Sequence, residues 1–326
     1  MKIYLGIDVG SVSTNLVIID DANRVLASEY LRTRGQPIRV VQEGFKSLAG
    51  KMPAGAAIAG AGVTGSARSL VGAAVGADVI KNEITAHAIA ADLEVPGVQT
   101  VLEIGGQDSK IIILRHGVVV DFAMNTVCAA GTGSFLDHQA ARLGIPIEDF
   151  GSLALKNESP AQIAGRCSVF AESDMVHKQQ MGYGIEDIIA GLCEALVRNY
   201  LNNVGKGKEI LGPVVFQGGV AANVGIKAAF EKALDMEVIV PGHYNVMGAI
   251  GSAVLARYAM EEKGETSFRG FSLSDLNFEA KTFTCNDCSN ICEVVNLSLD
   301  GKLLARWGGR CGKWENIEIE PGRAVI

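Results

Sequence analysis

Two cysteines stand in sequence contexts that suit metal or redox chemistry. Cys128 lies in NTVCAAGTGSFLD and Cys167 in AGRCSVFAESD, and each precedes a segment that predicts a helix. Backbone N–H groups and the helix dipole at such a position stabilise a thiolate and an anionic metal cluster bound to it. The alternative is that Cys128 and Cys167 are simply small residues packed in the core. We expect both cysteines to be cluster ligands.

A second group of cysteines follows the spacing C-x2-C-x3-C-x18-C and consists of Cys285, Cys288, Cys292 and Cys311. Four thiolates match a structural zinc site in number and in the short first spacing, and a small tail needs such support. They could equally bind a [4Fe-4S] cluster, although the spacing is neither of the standard ferredoxin patterns. The tail is therefore predicted to bind zinc or an iron–sulfur cluster, with four free thiols as the non-metal alternative. Cys193, on an apolar helix face, is expected only to pack.

A polar turn after the first predicted strand supplies a candidate anion site. The strand ends in Asp8, and the turn holds Gly10, Ser11, Ser13 and Thr14, whose N–H groups and hydroxyls suit a phosphate. A carboxylate at position 8 can hold Mg2+ through water, which favours a nucleotide over free phosphate. Taken alone, the segment is also compatible with an ordinary hairpin turn.

A second turn favours the nucleotide interpretation. Gly105, Gly106, Gln107 and Asp108 again follow a strand directly, and two facing turns can clamp a polyphosphate. Asp108 is a further candidate for Mg2+, and Gln107 is placed to orient the attacking water. We predict that these two residues and Asp8 are catalytic.

The remaining candidate nucleotide contacts lie later in the chain. Gly218 and Gly219 in FQGGVAAN leave a strand without side chains, which lets the backbone approach a planar ring or a sugar; close helix packing is the alternative. We add Gly131 and Gly133, which mark the start of the helix after Cys128, and Glu172 as an adenosine contact.

The predicted elements describe an α/β protein in which a strand, glycine turn and strand occur twice, at the N-terminus and again at TVLEIGGQDSKIIIL. Residues 264–282 resemble a surface linker, and Asp300-Gly301 predicts a hairpin turn. The expected organisation is lobe I at 1–95, lobe II with the cluster cysteines at 96–242, a long helix at 243–263 returning to lobe I, and a linker and cysteine-rich metal-binding tail at 264–326.

Composition narrows the class of protein further. Hydrophobic residues make up 48% and charged residues 20%, with a net charge of −7, so a folded protein without a basic nucleic-acid patch is expected. The sequence has no run of eighteen apolar residues and begins with MKIYLGIDVG, which has no export-signal features. We expect a cytoplasmic protein without a membrane partner, whose cysteines serve metal chemistry rather than disulfides.

The segments GIDVGSVSTN, EIGGQDSK, NTVCAAGTGSFLD, AGRCSVFAESD and FQGGVAAN resemble activators of 2-hydroxyacyl-CoA dehydratases. These belong to the BadF/BadG/BcrA/BcrD ATPase family, with the ATPase subunits of benzoyl-CoA reductases and the reductases of double-cubane cluster proteins. Over residues 1 to about 262, the three turns also resemble those of the two-lobed actin-like ATPase fold (ribonuclease H-like). Short activators end near the helix at 243–262, so the cysteine-rich C-terminal extension departs from the pattern.

The resemblance implies a homodimer with one [4Fe-4S] cluster at the subunit interface, bound by Cys128 and Cys167 of each chain. A cubane needs four thiolates, and a twofold axis through the cluster doubles two cysteines to four. The resemblance further implies that the protein binds ATP and Mg2+ and accepts electrons from a ferredoxin or flavodoxin. It also implies that the protein transfers one electron to an iron–sulfur dehydratase or reductase. ATP hydrolysis would make that transfer effectively irreversible.

Two other functions compete with this interpretation. A sugar or acetate-type kinase of the same fold needs a catalytic carboxylate facing a substrate hydroxyl, and it leaves Cys128 and Cys167 unexplained. An ATP-switched scaffold without enzymatic activity is the second alternative.

Overall fold

The computed structural model describes residues 1–125 and 128–314, and the chain divides into two units. Unit 1 comprises Met1–Ala86 and the chain from Gly248 onward, and unit 2 is His87–Met247. None of the helices in these described ranges has both the length and the apolar composition that crossing a bilayer requires.

The chain up to the end of the third helix supplies five strands and three helices: β1 (Lys2–Val9), β2 (Ser13–Asp20), β3 (Val25–Arg32), α1 (Pro37–Ala49), β4 (Ala57–Thr64), α2 (Arg68–Val75), β5 (Val79–Ile80) and α3 (Glu83–Glu94). Strands β1 and β2 are almost entirely buried because helices cover the sheet, so they read as continuous apolar runs. They form the predicted hairpin, in which Asp8 lies opposite Asn15. The sheet order is β3-β2-β1-β4-β5.

The next part of the chain repeats this arrangement with β6 (Thr100–Ile104), β7 (Ser109–Arg115), β8 (Val118–Asn125), α4 (Gly133–Leu143), α5 (Ile147–Ala154), α6 (Ser168–Gln180), α7 (Ile185–Asn203), β9 (Val214–Gln217), α8 (Val224–Leu234), β10 (Val238–Ile239) and α9 (Met247–Lys263). The sheet order is β10-β9-β6-β7-β8, with β6 antiparallel to β7 and parallel to β9. Strand β1 has the same relation to β2 and β4. The predicted internal repeat is therefore confirmed as a repeat of topology.

Helix α7 forms the centre of the core of unit 2. Its buried face includes Ile188, Leu192 and Leu196, and the buried Tyr200 hydroxyl donates to the Lys110 carbonyl on β7 at 2.5 Å. Helix and sheet are thus joined by a buried hydrogen bond as well as by apolar packing.

Three helices differ from what the sequence predicts. The apolar pattern from about 79 to 92 predicts a helix there, but α3 begins only at Glu83, because Asn82 acts as its N-cap and accepts a hydrogen bond from the Thr85 N–H at 2.9 Å. Helices α2 and α5 were not expected from the sequence. Each is only eight residues long, so its apolar period is short.

The expected surface linker contributes side chains from residues 268–276 to the core of unit 1, so it does not lie only on the surface. Leu273 is buried, and Phe268 and Phe271 pack edge-on against Phe45, with ring centroids 5.7 and 5.2 Å away. The Gln42 amide donates to the Leu273 carbonyl at 2.9 Å. Aromatic residues spaced along a polar stretch carry no helix or strand period, which explains why this packing was not predicted.

The remaining described chain forms a three-stranded antiparallel sheet of β11 (Phe278–Thr284), β12 (Glu293–Leu299) and β13 (Lys302–Trp307). Asp300 and Gly301 both have positive φ, at 49° and 79°, which confirms the predicted hairpin turn. Residues 315–326 of the predicted tail lie outside the described part of the chain.

Candidate functional site

In unit 1 the candidate anion site is the turn between β1 and β2. The Gly10 N–H donates to the Ser13 carbonyl at 2.9 Å, and the Thr33 hydroxyl donates to the Gly10 carbonyl at 2.8 Å. Thr14 is fully buried with its Oγ1 atom 2.9 Å from Thr33 Oγ1, so its hydroxyl stabilises the turn from inside. Ser11 is exposed on the turn. Of these side chains, Ser11 is the one best placed to meet a ligand.

Two glycines, Gly65 and Gly248, lie against the Asp8 carboxylate. A Cβ at Gly65 would lie 2.6 Å from Asp8 Oδ1, and a Cβ at Gly248 would overlap the carboxylate. Gly248 is in the first turn of α9, where the helix dipole favours a negative charge. Sequence reasoning missed both glycines, because neither is close to Asp8 in the chain.

In unit 2 the corresponding turn connects β6 to β7 and is closed by the Gly105 N–H, which donates to the Asp108 carbonyl at 3.0 Å. Buried Lys110 places its ammonium 2.9 Å from Glu103 Oε2 and 2.8 Å from Asp108 Oδ2. Gln107 is exposed at the tip of the turn. The predicted carboxylate is therefore held by a buried cation, and Glu103 and Lys110 are site residues that the sequence analysis did not identify. The sequence feature that could have identified them is a charged residue within an otherwise apolar strand.

Three glycine-bearing segments converge at the ends of the parallel strands β6 and β9. Gly218 has a φ of 88°, and a Cβ there would lie 2.9 Å from Glu103 Oε1. A Cβ at Gly133 would lie 3.0 Å from both the Gly105 carbonyl oxygen and a methyl group of Val220. The carboxyl ends of parallel strands are a common ligand site in α/β sheets. The predicted second phosphate turn and double-glycine turn are thus neighbours in space.

The N-terminus of α4 is bonded directly to the turn at 105–108. The Gly133 N–H donates to the Gly105 carbonyl at 2.9 Å, and the Ser134 N–H donates to the Gly106 carbonyl at 2.8 Å. The Ser134 hydroxyl donates to the same Gly106 oxygen at 2.5 Å. These helix N–H groups are therefore engaged by the turn, and the absence of a side chain at Gly133 permits the close approach.

Cys128 is half-buried and precedes a 3₁₀ turn at Ala129–Gly131, after which α4 begins. Its N–H donates to Asn125 Oδ1 at 2.9 Å, and its carbonyl accepts from Asn125 Nδ2 at 2.8 Å. The cysteine is thus separated from α4 by one short turn and is positioned mainly by an asparagine side chain. The preceding residues 126 and 127 are outside the described part of the chain.

Cys167 is half-buried and is the N-cap of α6, with an extended backbone at φ −142° and ψ 131°. The predicted position at a helix N-terminus is confirmed for this residue. The helix that follows packs into the core of unit 2 through Ala171 and Met175.

One buried amide contacts both cysteine-bearing segments. Asn199 of α7 donates from Nδ2 to the Gly165 carbonyl at 2.5 Å, two residues before Cys167. A Cβ at Gly131 would lie 2.8 Å from Asn199 Oδ1, so the segment after Cys128 passes the other end of the same amide. Sequence reasoning did not single out Asn199, because a lone asparagine in a helical pattern has no distinctive local signal.

Two other predicted residues have clear local roles. Glu172 on α6 pairs with Arg142 on α4, and its Oε2 lies 3.6 Å from His138 Nδ1. This ion pair joins the helices that follow the two cysteines. Cys193 is fully buried, and burial followed by the nearby Glu194 carboxylate raises the pKa of its thiol to about 12. It packs in the core, as expected.

The four cysteines of the tail differ in their exposure to solvent. Cys285 is buried, Cys292 is half-buried, and Cys288 and Cys311 are exposed. Within residues 1–125 and 128–314, no three Cys, His, Asp or Glu side chains already surround one point closely enough to hold a metal ion.

Comparison with known proteins gives one family. Residues 5–256 match the model of the BadF/BadG/BcrA/BcrD ATPase family. The chain is 36% identical over 265 residues to the (R)-2-hydroxyglutaryl-CoA dehydratase activating ATPase of Acidaminococcus fermentans, covering 78% of this chain and 98% of that protein. It is 33% identical over 263 residues to the activator of lactoyl-CoA dehydratase of Anaerotignum propionicum, covering 79% and 99%.

A solved structure gives the same result for the fold. The activator of 2-hydroxyisocaproyl-CoA dehydratase from Clostridium difficile with bound ADPNP matches with a TM-score of 0.72 at 32% identity, covering 80% of this chain and 97% of that one. The α/β actin-like ATPase fold expected from the sequence is confirmed. About a fifth of this chain has no counterpart in these relatives.

Proposed function

This chain belongs to the BadF/BadG/BcrA/BcrD ATPase family, and we propose that it hydrolyses ATP to drive low-potential, one-electron transfer to a partner iron–sulfur enzyme. The named relatives activate 2-hydroxyacyl-CoA dehydratases, which supports a dehydratase of this type or a related reductase as the electron acceptor. A ferredoxin or flavodoxin is the proposed electron donor.

The observation that carries the proposal is the position of Asn199 between the segments of Cys128 and Cys167. Both cysteines are half-buried, which suits thiolates that must reach a group at the protein surface. Two thiolates per chain fit half of a four-thiolate site, so we propose a homodimer that binds one [4Fe-4S] cluster on its twofold axis. When bound, the cluster supplies one-electron chemistry at a low potential.

Within this proposal, the chain's own residues bind the nucleotide and Mg2+. The proposed nucleotide contacts are the turn at 10–14 in unit 1 and the turns at 105–108 and 218–219 in unit 2. Asp8 and Asp108 are each a proposed Mg2+ contact through water, and Gln107 would orient the attacking water. The contact between Asp108 and Lys110 fixes the direction of one carboxylate before the ligand arrives. Glu172 stays a predicted adenosine contact, and binding there requires its ion pair with Arg142 to open.

A direct contact within unit 2 supports coupling between the proposed nucleotide and cluster sites. The carbonyls of Gly105 and Gly106 accept hydrogen bonds from the first residues of α4, and Cys128 lies five residues before that helix. A displacement of the turn by the nucleotide is therefore transmitted to the segment that carries Cys128. The proposed role of hydrolysis is to reset this displacement after the electron has left.

The test is activation of a purified acceptor under anaerobic conditions. We expect the dithionite-reduced protein to activate (R)-2-hydroxyglutaryl-CoA or lactoyl-CoA dehydratase only with hydrolysable ATP, and to show a [4Fe-4S]+ electron paramagnetic resonance signal that disappears on transfer. A sugar or acetate kinase would instead transfer the γ-phosphate of ATP to its substrate. Such transfer by a protein without iron would contradict the proposal.

A further inference from the structure

The sheet of β11, β12 and β13 brings all four tail cysteines to one of its ends. Thr284, the last residue of β11, pairs with Glu293, the first residue of β12, and Trp307 at the end of β13 pairs with Val295. Cys285 directly follows the first strand, Cys292 directly precedes the second, and Cys311 lies four residues after the third. Antiparallel pairing therefore places Cys285 and Cys311, which are 26 residues apart in the chain, at the same end of the sheet.

Backbone hydrogen bonds close the loop that carries three of these cysteines. The Cys285 N–H donates to the Cys292 carbonyl at 2.8 Å, and the Ile291 N–H donates to the Cys288 carbonyl at 3.2 Å. Ile291 has a φ of 45°, an uncommon conformation for a β-branched residue, and its side chain is 61% exposed. A β-branched residue keeps such a conformation only where its surroundings impose it.

The segment of Cys311 contacts both this loop and the neighbouring strands β11 and β13. The Trp314 ring packs edge-on against Phe283, with centroids 5.1 Å apart. Lys313, two residues after the cysteine, forms an ion pair with Asp287, which lies between Cys285 and Cys288. The Arg306 guanidinium lies over the Trp314 ring, 5.0 Å from its centroid. The fourth cysteine is therefore held next to the first three by side chains that are not themselves ligands.

We propose that Cys285, Cys288, Cys292 and Cys311 bind one Zn2+ as a structural site that closes this end of the sheet. Four thiolates around one ion at about 2.3 Å make the usual all-cysteine zinc site, and a C-x2-C pair directly after a strand fits it. Binding replaces the thiol protons, and the basic side chains of Arg306 and Lys313 offset the negative charge that four thiolates leave. The ferredoxin spacings are not present in the tail.

The strand pairing does not involve the cysteines themselves. Cys288 and Cys311 are exposed and lie outside β11, β12 and β13, so both can turn towards a metal while the pairing is kept. The hairpin end of the sheet has its own apolar contacts, since Leu297 and Leu304 pack with Ala74 of α2. The metal would therefore order the cysteine end of a sheet whose other end already packs against α2.

This site does not depend on the proposed electron transfer. The family match ends at residue 256, before all four cysteines. Replacing Cys128 and Cys167 removes the proposed ligands of the interface cluster. Any metal that remains bound can then be assigned to the tail.

The experiment uses the full chain carrying Cys128→Ser and Cys167→Ser, purified anaerobically after growth with zinc and iron. Elemental analysis is expected to find about one zinc per chain and no iron. Adding Cys288→Ser and Cys311→Ser, both at exposed positions, should lower zinc at least fivefold, whereas adding Cys193→Ala should leave it unchanged. Removal of zinc by a chelator should shift tryptophan fluorescence, because Trp314 is close to Cys311, and ZnCl2 should restore it.

Three results would overturn the inference. Iron and sulfide in place of zinc would make the tail an iron–sulfur site. Zinc retained after loss of Cys288 and Cys311 would place the ion elsewhere. No uptake of ZnCl2 by a variant whose circular dichroism matches that of the original chain would show four free thiols.

Discussion

Ser134 donates both its peptide N–H and its hydroxyl to the carbonyl oxygen of Gly106, at 2.8 and 2.5 Å. Gly106 belongs to the candidate phosphate turn, and Ser134 belongs to the first turn of the helix that follows Cys128. The candidate phosphate turn is therefore hydrogen-bonded directly to the helix that follows Cys128, and the Ser134 hydroxyl is the part of this contact that a substitution can remove.

Ser134→Ala is expected to weaken the coupling between nucleotide and cluster while leaving the backbone bond in place. Loss of one hydrogen bond of about 1 kcal/mol corresponds to roughly a fivefold change in an equilibrium. We expect a smaller difference between the electron paramagnetic resonance spectra with ATP and with ADP, at unchanged iron content. Ser152→Ala is the control, because its hydroxyl bonds only locally to the Asp149 carbonyl of α5. An unaltered spectral difference in Ser134→Ala would exclude this route.

Asn199→Ala should reduce iron retention without touching either cysteine. The variant leaves the Gly165 carbonyl without its buried donor, at a cost of about 1–3 kcal/mol, and loosens the segment before Cys167. Iron content after gel filtration is the measurement. Asn157→Ala, which removes an amide that bonds to the Ala154 carbonyl, serves as the matched change in unit 2. Equal iron in both variants would show that Asn199 is not a positioning residue.

Cys128→Ser and Cys167→Ser should each abolish the visible absorbance of the cluster and shift the protein from dimer to monomer. Each dimer then loses two of four thiolates, and the remaining two do not complete a cubane. Cys193→Ala should retain about four irons per dimer, because that buried thiol only packs. Iron retained at that level in the double serine variant would disprove the ligand assignment.

Asp108→Ala should remove most ATPase activity while the iron content stays unchanged. The substitution deletes a proposed Mg2+ contact and frees the Lys110 ammonium from one of its two carboxylates. Phosphate release measured over a range of Mg2+ concentrations is the assay. Asp121→Ala removes a different ion pair, with Lys208 on the surface, and should behave like the original chain. If both variants hydrolyse ATP equally well, the catalytic assignment of Asp108 is wrong.

Buried His87 predicts a pH dependence of stability. Burial, and then the charge of Lys110, lowers the pKa of this imidazole from 6.5 to about 3, while Gln217 Nε2 lies 2.7 Å from its Nδ1. The unfolded chain therefore binds the extra proton first, so the free energy of unfolding should fall as pH drops from 6.5 towards 3. Urea unfolding of the Cys128→Ser, Cys167→Ser protein measures this without the cluster. His87→Gln should flatten the dependence, and exposed His116→Gln should not.

Local patterns were sufficient to predict several elements. The apolar periods near 37–49 and 185–203 predict helices, and α1 and α7 lie there. The turn at Asp300-Gly301 follows from the positive φ that those residues tolerate. The hairpin around Asp8 and the position of Cys167 before α6 are likewise short-range features. Each depends on residues within about ten positions of one another.

By itself, the sequence determined the family, the repeated order of strand, glycine turn and strand, and the two groups of cysteines. Each of these features depends on residues that are close together in the chain. Only the tertiary structure decided that Gly65 and Gly248 enclose Asp8, and that Asn199 contacts the segments of both Cys128 and Cys167. Packing of residues 268–276 into the core of unit 1 is of the same kind. Such contacts join residues far apart in the chain, and their energy comes from close packing and buried hydrogen bonds, which leave no local period to detect.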